Sequence, residues 1–283
     1  MIPATFDYQR AASLEEALDL IAVGDPAIRV LAGGQSLIPL MKLRLARPRR
    51  LIDLGRLDDL RGIRELPGGG LAIGALTTWA ALLADPRIRH HGALADAIPM
   101  IGDLQVRNRG TIGGSLAHAD PASDISAPAL ALEVEVVVRS AARGERTIAA
   151  ADLFVSPFAT SIAPDEILTE IRVPAVPPSG ASAYVALPQA ASGYPIAGVA
   201  VVVLRGGGCT IGVTGVGEQP YRALDSERAI LEGAAPADAL RAIAAGRRVA
   251  TDIHADRDYR AAMAIVMARR AFEAATDRAA SGG

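Results

Sequence analysis

The sequence predicts an α+β fold: a strand-and-helix region that carries two Gly-Gly turns, then a C-terminal domain with a small antiparallel sheet and helices. Three observations carry this. Leu31-Ala32-Gly33-Gly34-Gln35-Ser36-Leu37 and Thr111-Ile112-Gly113-Gly114-Ser115 each read as a strand ending in a Gly-Gly turn, with Ser at a helix start. Pro174-Ala175-Val176-Pro177-Pro178-Ser179-Gly180 has three prolines in five residues and reads as a stiff linker. Beyond it, apolar runs joined by Gly-rich turns read as an antiparallel sheet, and a helical tail follows.

Taken in order, Ser13-Leu14-Glu15-Glu16 has capping-box spacing, with Leu14, Ala17, Leu18 and Ile21 at helical intervals. Gly24 closes that helix. Ile28 to Ala32 is a strand that delivers the first Gly-Gly turn, and Ser36 to Met41 a short helix with Pro39 in its first turn. Lys42-Leu43-Arg44-Leu45-Ala46-Arg47-Pro48-Arg49-Arg50 reads either as a solvated basic face or as charge placed near phosphates or an acidic partner. Leu51 to Leu54 is a strand. Arg61–Leu66 and Leu71–Ala75 flank Pro67-Gly68-Gly69-Gly70 as a hairpin.

Thr77-Thr78-Trp79 opens a helix to Ala84, and His90 and His91 are expected at the surface. Gly92 to Ile101 is a helix broken at Pro99, Pro121 is placed to start another that runs through Ala127–Leu132, and Glu133 to Ser140 is a strand. Leu153–Pro157 and Glu166–Val173 bracket a loop. Ser182–Leu187, Pro195–Leu204 and Thr210–Val216 are three strands, with Gly206-Gly207-Gly208 as a hairpin turn. Three helices close the chain, the last over Tyr259 to Thr276. Helices on one side of the sheet would make this a separate α+β domain.

Composition narrows the function. The 283 residues are 51% hydrophobic and 21% charged with a net charge of −2, which gives no field to recruit nucleic acid or membranes. The apolar run Ile196 to Leu204 is nine residues, too short to span a bilayer, and the N-terminus lacks the pattern of a signal peptide. A cytoplasmic protein is expected. Cys209 is the single cysteine, so neither an internal disulfide nor an iron–sulfur cluster can form within the chain. Four scattered histidines lack zinc-type spacing, and no metal site is expected. Redox chemistry would have to come from a bound organic cofactor.

Gly-Gly lets a backbone approach a ligand closely, and exposed N–H groups in such a turn make an anion site. Two of them suggest a ligand with two phosphates, such as a dinucleotide. Neither fits the Gly-x-Gly-x-x-Gly fingerprint or a P-loop, and no Gly-x-Ser-x-Gly elbow marks Ser36 or Ser115 as a nucleophile. Asp120 reads as a helix cap or as a ligand contact. Asp124 suits the hydroxyls of a dinucleotide's sugar portion. His118 reads as a packed loop residue, with a role as base the alternative.

Ala32-Gly33-Gly34-Gln35-Ser36-Leu37 together with Thr111 to Ser115 and Asp120-Pro121-Ala122-Ser123-Asp124 resembles the paired FAD-binding motifs of the molybdenum hydroxylase flavoproteins. The likeness is to medium subunits of the carbon monoxide dehydrogenase type, and more distantly to the xanthine dehydrogenase flavin domain. It covers nearly the whole chain, including Lys42-Leu43-Arg44-Leu45-Ala46 and Gln105-Val106-Arg107-Asn108-Arg109-Gly110. The resemblance implies a PCMH-type FAD-binding region over 1–175, in subdomains of about 1–57 and 58–175, and a C-terminal flavoprotein domain over 176–283.

It further implies that Ala32 to Leu37, with Thr111, Gly113, Gly114 and Ser115, bind the FAD pyrophosphate. Asp124 would meet the ribityl or ribose hydroxyls, Ile167 and Leu168 would approach the flavin ring, and Tyr194 would cover it; Tyr194 also reads simply as a turn residue before a strand. Gln35 stands where many relatives have His, and Ser115 where many have Asn. No side chain is expected to act as acid or base, because the flavin carries the chemistry. The partners implied are a 2Fe-2S small subunit and a molybdopterin large subunit in a dimer of heterotrimers, with a peripheral position at the inner membrane left open. A stand-alone FAD oxidase and a nucleotide-binding assembly module are the rival readings.

Overall fold

The computed structural model describes residues 2–175, 180–204 and 206–281. The first subdomain is built from β1 (Asp7–Arg10), α1 (Leu14–Ile21), β2 (Ile28–Leu31), α2 (Leu37–Lys42) and β3 (Arg50–Asp53). Its three strands are parallel in the order β1-β3-β2. The Ser13 hydroxyl caps α1 by accepting from the Glu16 N–H at 3.1 Å, and the Glu16 carboxylate reaches back to the Ala12 N–H at 2.7 Å. Ala17, Leu18 and Ile21 of α1 pack on Ile52 and Leu54 to form a small core of this subdomain.

The second subdomain opens with the expected hairpin, β4 (Ile63–Glu65) and β5 (Leu71–Gly74). Five helices follow: α3 (Trp79–Ala84), α4 (Gly92–Ala97), α5 (Leu104–Arg109), α6 (Ile112–His118) and α7 (Ser126–Ala131). Then come β6 (Glu135–Ser140), β7 (Gly144–Ala149), α8 (Ala150–Leu153), the short hairpin β8 (Phe154–Ser156) and β9 (Ala159–Thr160), and β10 (Ile167–Val173). The antiparallel sheet runs β4-β5-β10-β6-β7, with β10 at its centre. No helix starts at Pro121. Residues 120–125 form turns, and α7 begins at Ser126.

The expected linker falls partly on 176–179, outside the described residues. After it, β11 (Ala181–Pro188), β12 (Pro195–Val203), β13 (Cys209–Thr214) and β14 (Tyr221–Arg222) form one antiparallel sheet. The Leu204 N–H donates to the Gly208 carbonyl, closing the turn between β12 and β13. Helices α9 (Leu224–Leu231) and α10 (Pro236–Ala239) precede the 25-residue α11 (Arg257–Ser281).

Helices cover both faces of this sheet, not one. Val199 and Val201 of β12 pack with Ala264, Met267 and Ala268 of α11, while Ala200 and Val202 join the core around α4 and α7. A strand buried on both faces carries an unbroken apolar run, which is what Pro195–Val203 is. The approach of α7 is close enough that a Cβ on Gly212 would lie 2.1 Å from the Ala127 carbonyl oxygen. Cys209 is buried, and burial with nearby Glu227 pushes its thiol up to about 12.

His91 departs from expectation. His90 is exposed, but His91 is only 3% exposed and its Nδ1 has no hydrogen-bond partner among the described residues. Burial, reinforced by His90, lowers its pKa. The unfolded chain therefore takes up a proton near the ordinary value of about 6.5, where the native state does not, so stability is lost as pH falls below that value. His91→Leu is expected to remove this loss: the melting-temperature difference between variant and wild type should shift in the variant's favour from pH 7 to pH 5.

Candidate functional site

The two glycine motifs, some eighty residues apart in the chain, meet backbone to backbone. A Cβ on Gly33 would lie 2.1 Å from the Arg109 carbonyl oxygen and 2.9 Å from the Gly110 Cα. One on Gly114 would lie 3.6 Å from the Ala32 Cβ. At Gly33 only a residue without a side chain permits this approach, whereas the Gly114–Ala32 spacing is ordinary van der Waals contact.

The first motif is the expected turn after β2. Gly34 has φ +75, which disfavours residues other than glycine, and its carbonyl accepts from the Ile38 N–H at 3.0 Å. The N–H groups of Gly33, Gly34, Gln35, Ser36 and Leu37 have no acceptor among the described residues. Ser36 sits at the head of α2 without capping it, so its hydroxyl is also uncommitted. The Gln35 amide nitrogen donates to the Gly33 carbonyl at 3.3 Å.

The second motif differs from the expected strand and turn. Helix α5 precedes it, Thr111 is the N-cap, and Gly113, Gly114 and Ser115 lie inside α6. Its N–H groups from Ile112 to Ser115 are occupied. Gly113 donates to the Ala75 carbonyl at 3.0 Å, Gly114 to the Thr111 hydroxyl at 3.2 Å and Ser115 to the Thr111 carbonyl at 3.0 Å. Glycine is poor in helices, but a Cβ on Gly113 would lie 2.5 Å from that of Ala75, so close packing overrides propensity here. The Ala75 N–H in turn donates to the Thr169 carbonyl at 3.0 Å. This ties the second motif to β10 where its register shifts between Leu168 and Glu170. Ile167 and Leu168 are both buried, the first in the core of the first subdomain and the second in the main core.

Asp124 lies in the turn between α6 and α7 and is 6% exposed. Its Oδ1 accepts from the Tyr184 hydroxyl of β11 at 2.8 Å. Burial raises the Asp124 pKa to about 7, opposed by the bond from Tyr184. Tyr194 is 46% exposed, in a turn where the Gln189 N–H donates to the Tyr194 carbonyl at 2.8 Å. Burial and the charges of Asp120 and Asp124 raise its pKa. The C-terminal sheet also grips the turn directly: the Gly215 N–H donates to the Pro121 carbonyl at 2.8 Å. The Thr214 hydroxyl lies 2.9 Å from the Pro121 carbonyl and 3.0 Å from that of Ser123. Asp120 folds the turn by accepting from the Ala122 N–H at 2.9 Å, and His118 packs against the Phe158 ring.

The structure therefore brings together Ala32 to Leu37 with Thr111 to Ser115, and through Gly215 it brings the turn that bears Asp124 to Pro195, next to Tyr194. It adds Ala75, Tyr184 and Thr214, which sequence reasoning missed. Tyr184 sits in an apolar strand, and only the fold reveals its partner. Five successive uncommitted N–H groups and the Ser36 hydroxyl make a donor set suited to a diphosphate, and the buried carboxyl suits hydroxyl donors. No cluster of His, Cys, Asp or Glu among the described residues could hold a metal ion.

Residues 4–176 match the family described as the FAD binding domain in molybdopterin dehydrogenase. The chain is 37% identical to the carbon monoxide dehydrogenase medium chain of Hydrogenophaga pseudoflava, over 99% of this chain and 100% of that one. It is also 37% identical to the 6-hydroxypseudooxynicotine dehydrogenase complex subunit alpha of Paenarthrobacter nicotinovorans, over 99% and 97%. A solved carbon monoxide dehydrogenase from Hydrogenophaga pseudoflava, which lacks the Mo-pyranopterin moiety of its cofactor, contains a similar chain. It superposes with a TM-score of 0.92 at 39% identity, covering 98% of this chain and 99% of that one. The chain thus belongs to the FAD-binding family of the molybdopterin dehydrogenases, among the medium subunits of the carbon monoxide dehydrogenase type.

Proposed function

We propose that this chain is the FAD-carrying subunit of a multi-subunit molybdenum hydroxylase, taking electrons from 2Fe-2S clusters and passing them to an external acceptor. The observation that carries this is the junction of the two glycine motifs, where Gly33 lies against Arg109 and Gly110 and leaves the N–H row of Gly33 to Leu37 uncommitted. When bound, FAD supplies the electron-carrying chemistry, so the protein's tasks are binding, orientation and electrostatics.

On this reading the Gly33–Leu37 N–H groups and the Ser36 hydroxyl hold the pyrophosphate. Ala32, Thr111, Gly113 and Gly114 shape the opposite wall, and Ser115 adds a hydroxyl. The second oxygen of Asp124 accepts from the ribityl or ribose hydroxyls. Tyr194 covers the ring system, and the main chain at Ile167 and Leu168 borders it, since their side chains are spent on packing. The FAD-binding region is 1–175 and the C-terminal flavoprotein domain 176–283. The partners are an iron–sulfur small subunit and a molybdopterin large subunit in a dimer of heterotrimers. We place the complex in the cytoplasm, or on the inner membrane as a peripheral assembly; no helix among the described residues is long and apolar enough to cross a membrane.

Purification of the native protein tests the reading. A flavin absorbance spectrum in a particle that also contains an iron–sulfur chain supports it; a lone chain that oxidises an organic substrate unaided overturns it. Gly33→Ala forces the two motifs apart and is expected to weaken FAD retention about tenfold or more, measured by fluorescence titration of the cofactor-free chain. Hydroxyl donors favour the ionised Asp124, so FAD affinity should rise with pH through about 7, by roughly tenfold where binding lowers that pKa by one. Asp124→Asn should flatten this rise, read in the same titration at several pH values.

A further inference from the structure

We infer that Arg260 is a positioning residue that ties the segment after Tyr194 to the turn that bears Asp124, so that the start of α11 governs the geometry of the ring-facing half of the site. The inference rests on the assignment of those two residues to FAD.

Arg260 is 5% exposed. One terminal nitrogen of its guanidinium donates to two carbonyls, Ile196 at 2.9 Å and Gly215 at 2.5 Å. The other donates to the Asp252 carboxylate at 2.6 Å, which balances the charge. These acceptors belong to three separate segments. Ile196 stands two residues after Tyr194, at the start of β12. Gly215 follows β13, and its own N–H donates to the Pro121 carbonyl in the turn that ends at Asp124. Asp252 organises the loop before α11 by accepting from the His254 and Ala255 N–H groups at 2.9 and 3.1 Å.

A second route leads from the same loop to the Tyr194 turn. His254 Nδ1 lies 3.4 Å from Gln189 Nε2, and the Gln189 side-chain oxygen accepts from the Ser192 N–H at 2.6 Å. One guanidinium thus joins the strand beside Tyr194 to the turn that presents Asp124.

Packing alone does not call for a buried charge here. Further along, α11 meets the sheet with Ala264, Met267, Ala268, Ala271 and Ala275, all apolar. Arg260 Nε has no acceptor among the described residues, so the group is held in place by its forked terminal nitrogens. A planar fork can bridge acceptors on separate segments, which a lysine ammonium at the end of a flexible stem does not reproduce.

The test is hydrogen exchange on the full cofactor-free chain, comparing wild type with Arg260→Lys and Arg260→Met. Amides in 119–125 and 189–196 are expected to exchange about tenfold faster together, while those of 264–275 keep their protection. FAD dissociation from the loaded chain should accelerate in both variants. Unchanged exchange in either segment overturns the inference. So does acceleration that extends through 264–275, or failure of both variants to fold, because each marks Arg260 as a general support of the domain. Faster exchange in both segments with unchanged FAD dissociation shows that the node exists but that Tyr194 and Asp124 do not serve the cofactor; that overturns the positioning role and corrects the site assignment.

Discussion

The absence of a side chain at Gly33 is the constraint on which the site depends. It lets the turn after β2 rest on the Arg109 carbonyl and the Gly110 backbone, and so brings the small first subdomain against the second. The second subdomain answers with the same device, since Gly113 lies on Ala75 and Ala75 bonds to the irregular point of β10. A run of backbone contacts therefore joins two hydrophobic cores that β10 also bridges, with Ile167 in one and Leu168 in the other. Backbone contacts of this kind are indifferent to side-chain rotamers, which suits a surface that must hold its shape around a ligand.

The two motifs divide the work unequally. The first leaves its N–H groups uncommitted, whereas the second uses its own to complete α6 and the contact with Ala75. One half can donate, and the other fixes the width of the gap. The C-terminal sheet contributes a third kind of group. Tyr184 reaches through the core to Asp124, and the buried carboxyl is held at a pKa of about 7. In an apolar setting its protonation state answers to whatever hydrogen bonds it receives.

Local chemistry was legible where a few adjacent residues decide the outcome. The capping of α1 by Ser13, the close of that helix at Gly24 and the hairpin turn at Gly206-Gly207-Gly208 all follow from residues in contact through the chain. The glycine motifs were legible as a candidate site because the chain carries two of them, each followed by a serine. What was hidden depends on distant partners. Gly113 and Gly114 read as a turn because helix propensity argues against them, and only the packing on Ala75 makes them helical. The turns at 120–125 are held by Thr214 and Gly215, some ninety residues away, so Pro121 could not be recognised as a turn residue. β1, Asp-Tyr-Gln-Arg, is an exposed edge strand with no apolar alternation to betray it. His91 looked like its exposed neighbour because adjacent residues in a turn can face opposite environments.

The single thiol has a consequence for a protein of this kind. Reduced flavins that meet oxygen can release peroxide, and peroxide attacks thiolates rather than thiols. Cys209 is enclosed in the C-terminal core and stays protonated throughout the physiological range. The chain therefore offers the by-products of its own cofactor no cysteine thiolate, which leaves methionine thioethers, such as that of the 37% exposed Met100, as the sulfur that peroxide can reach.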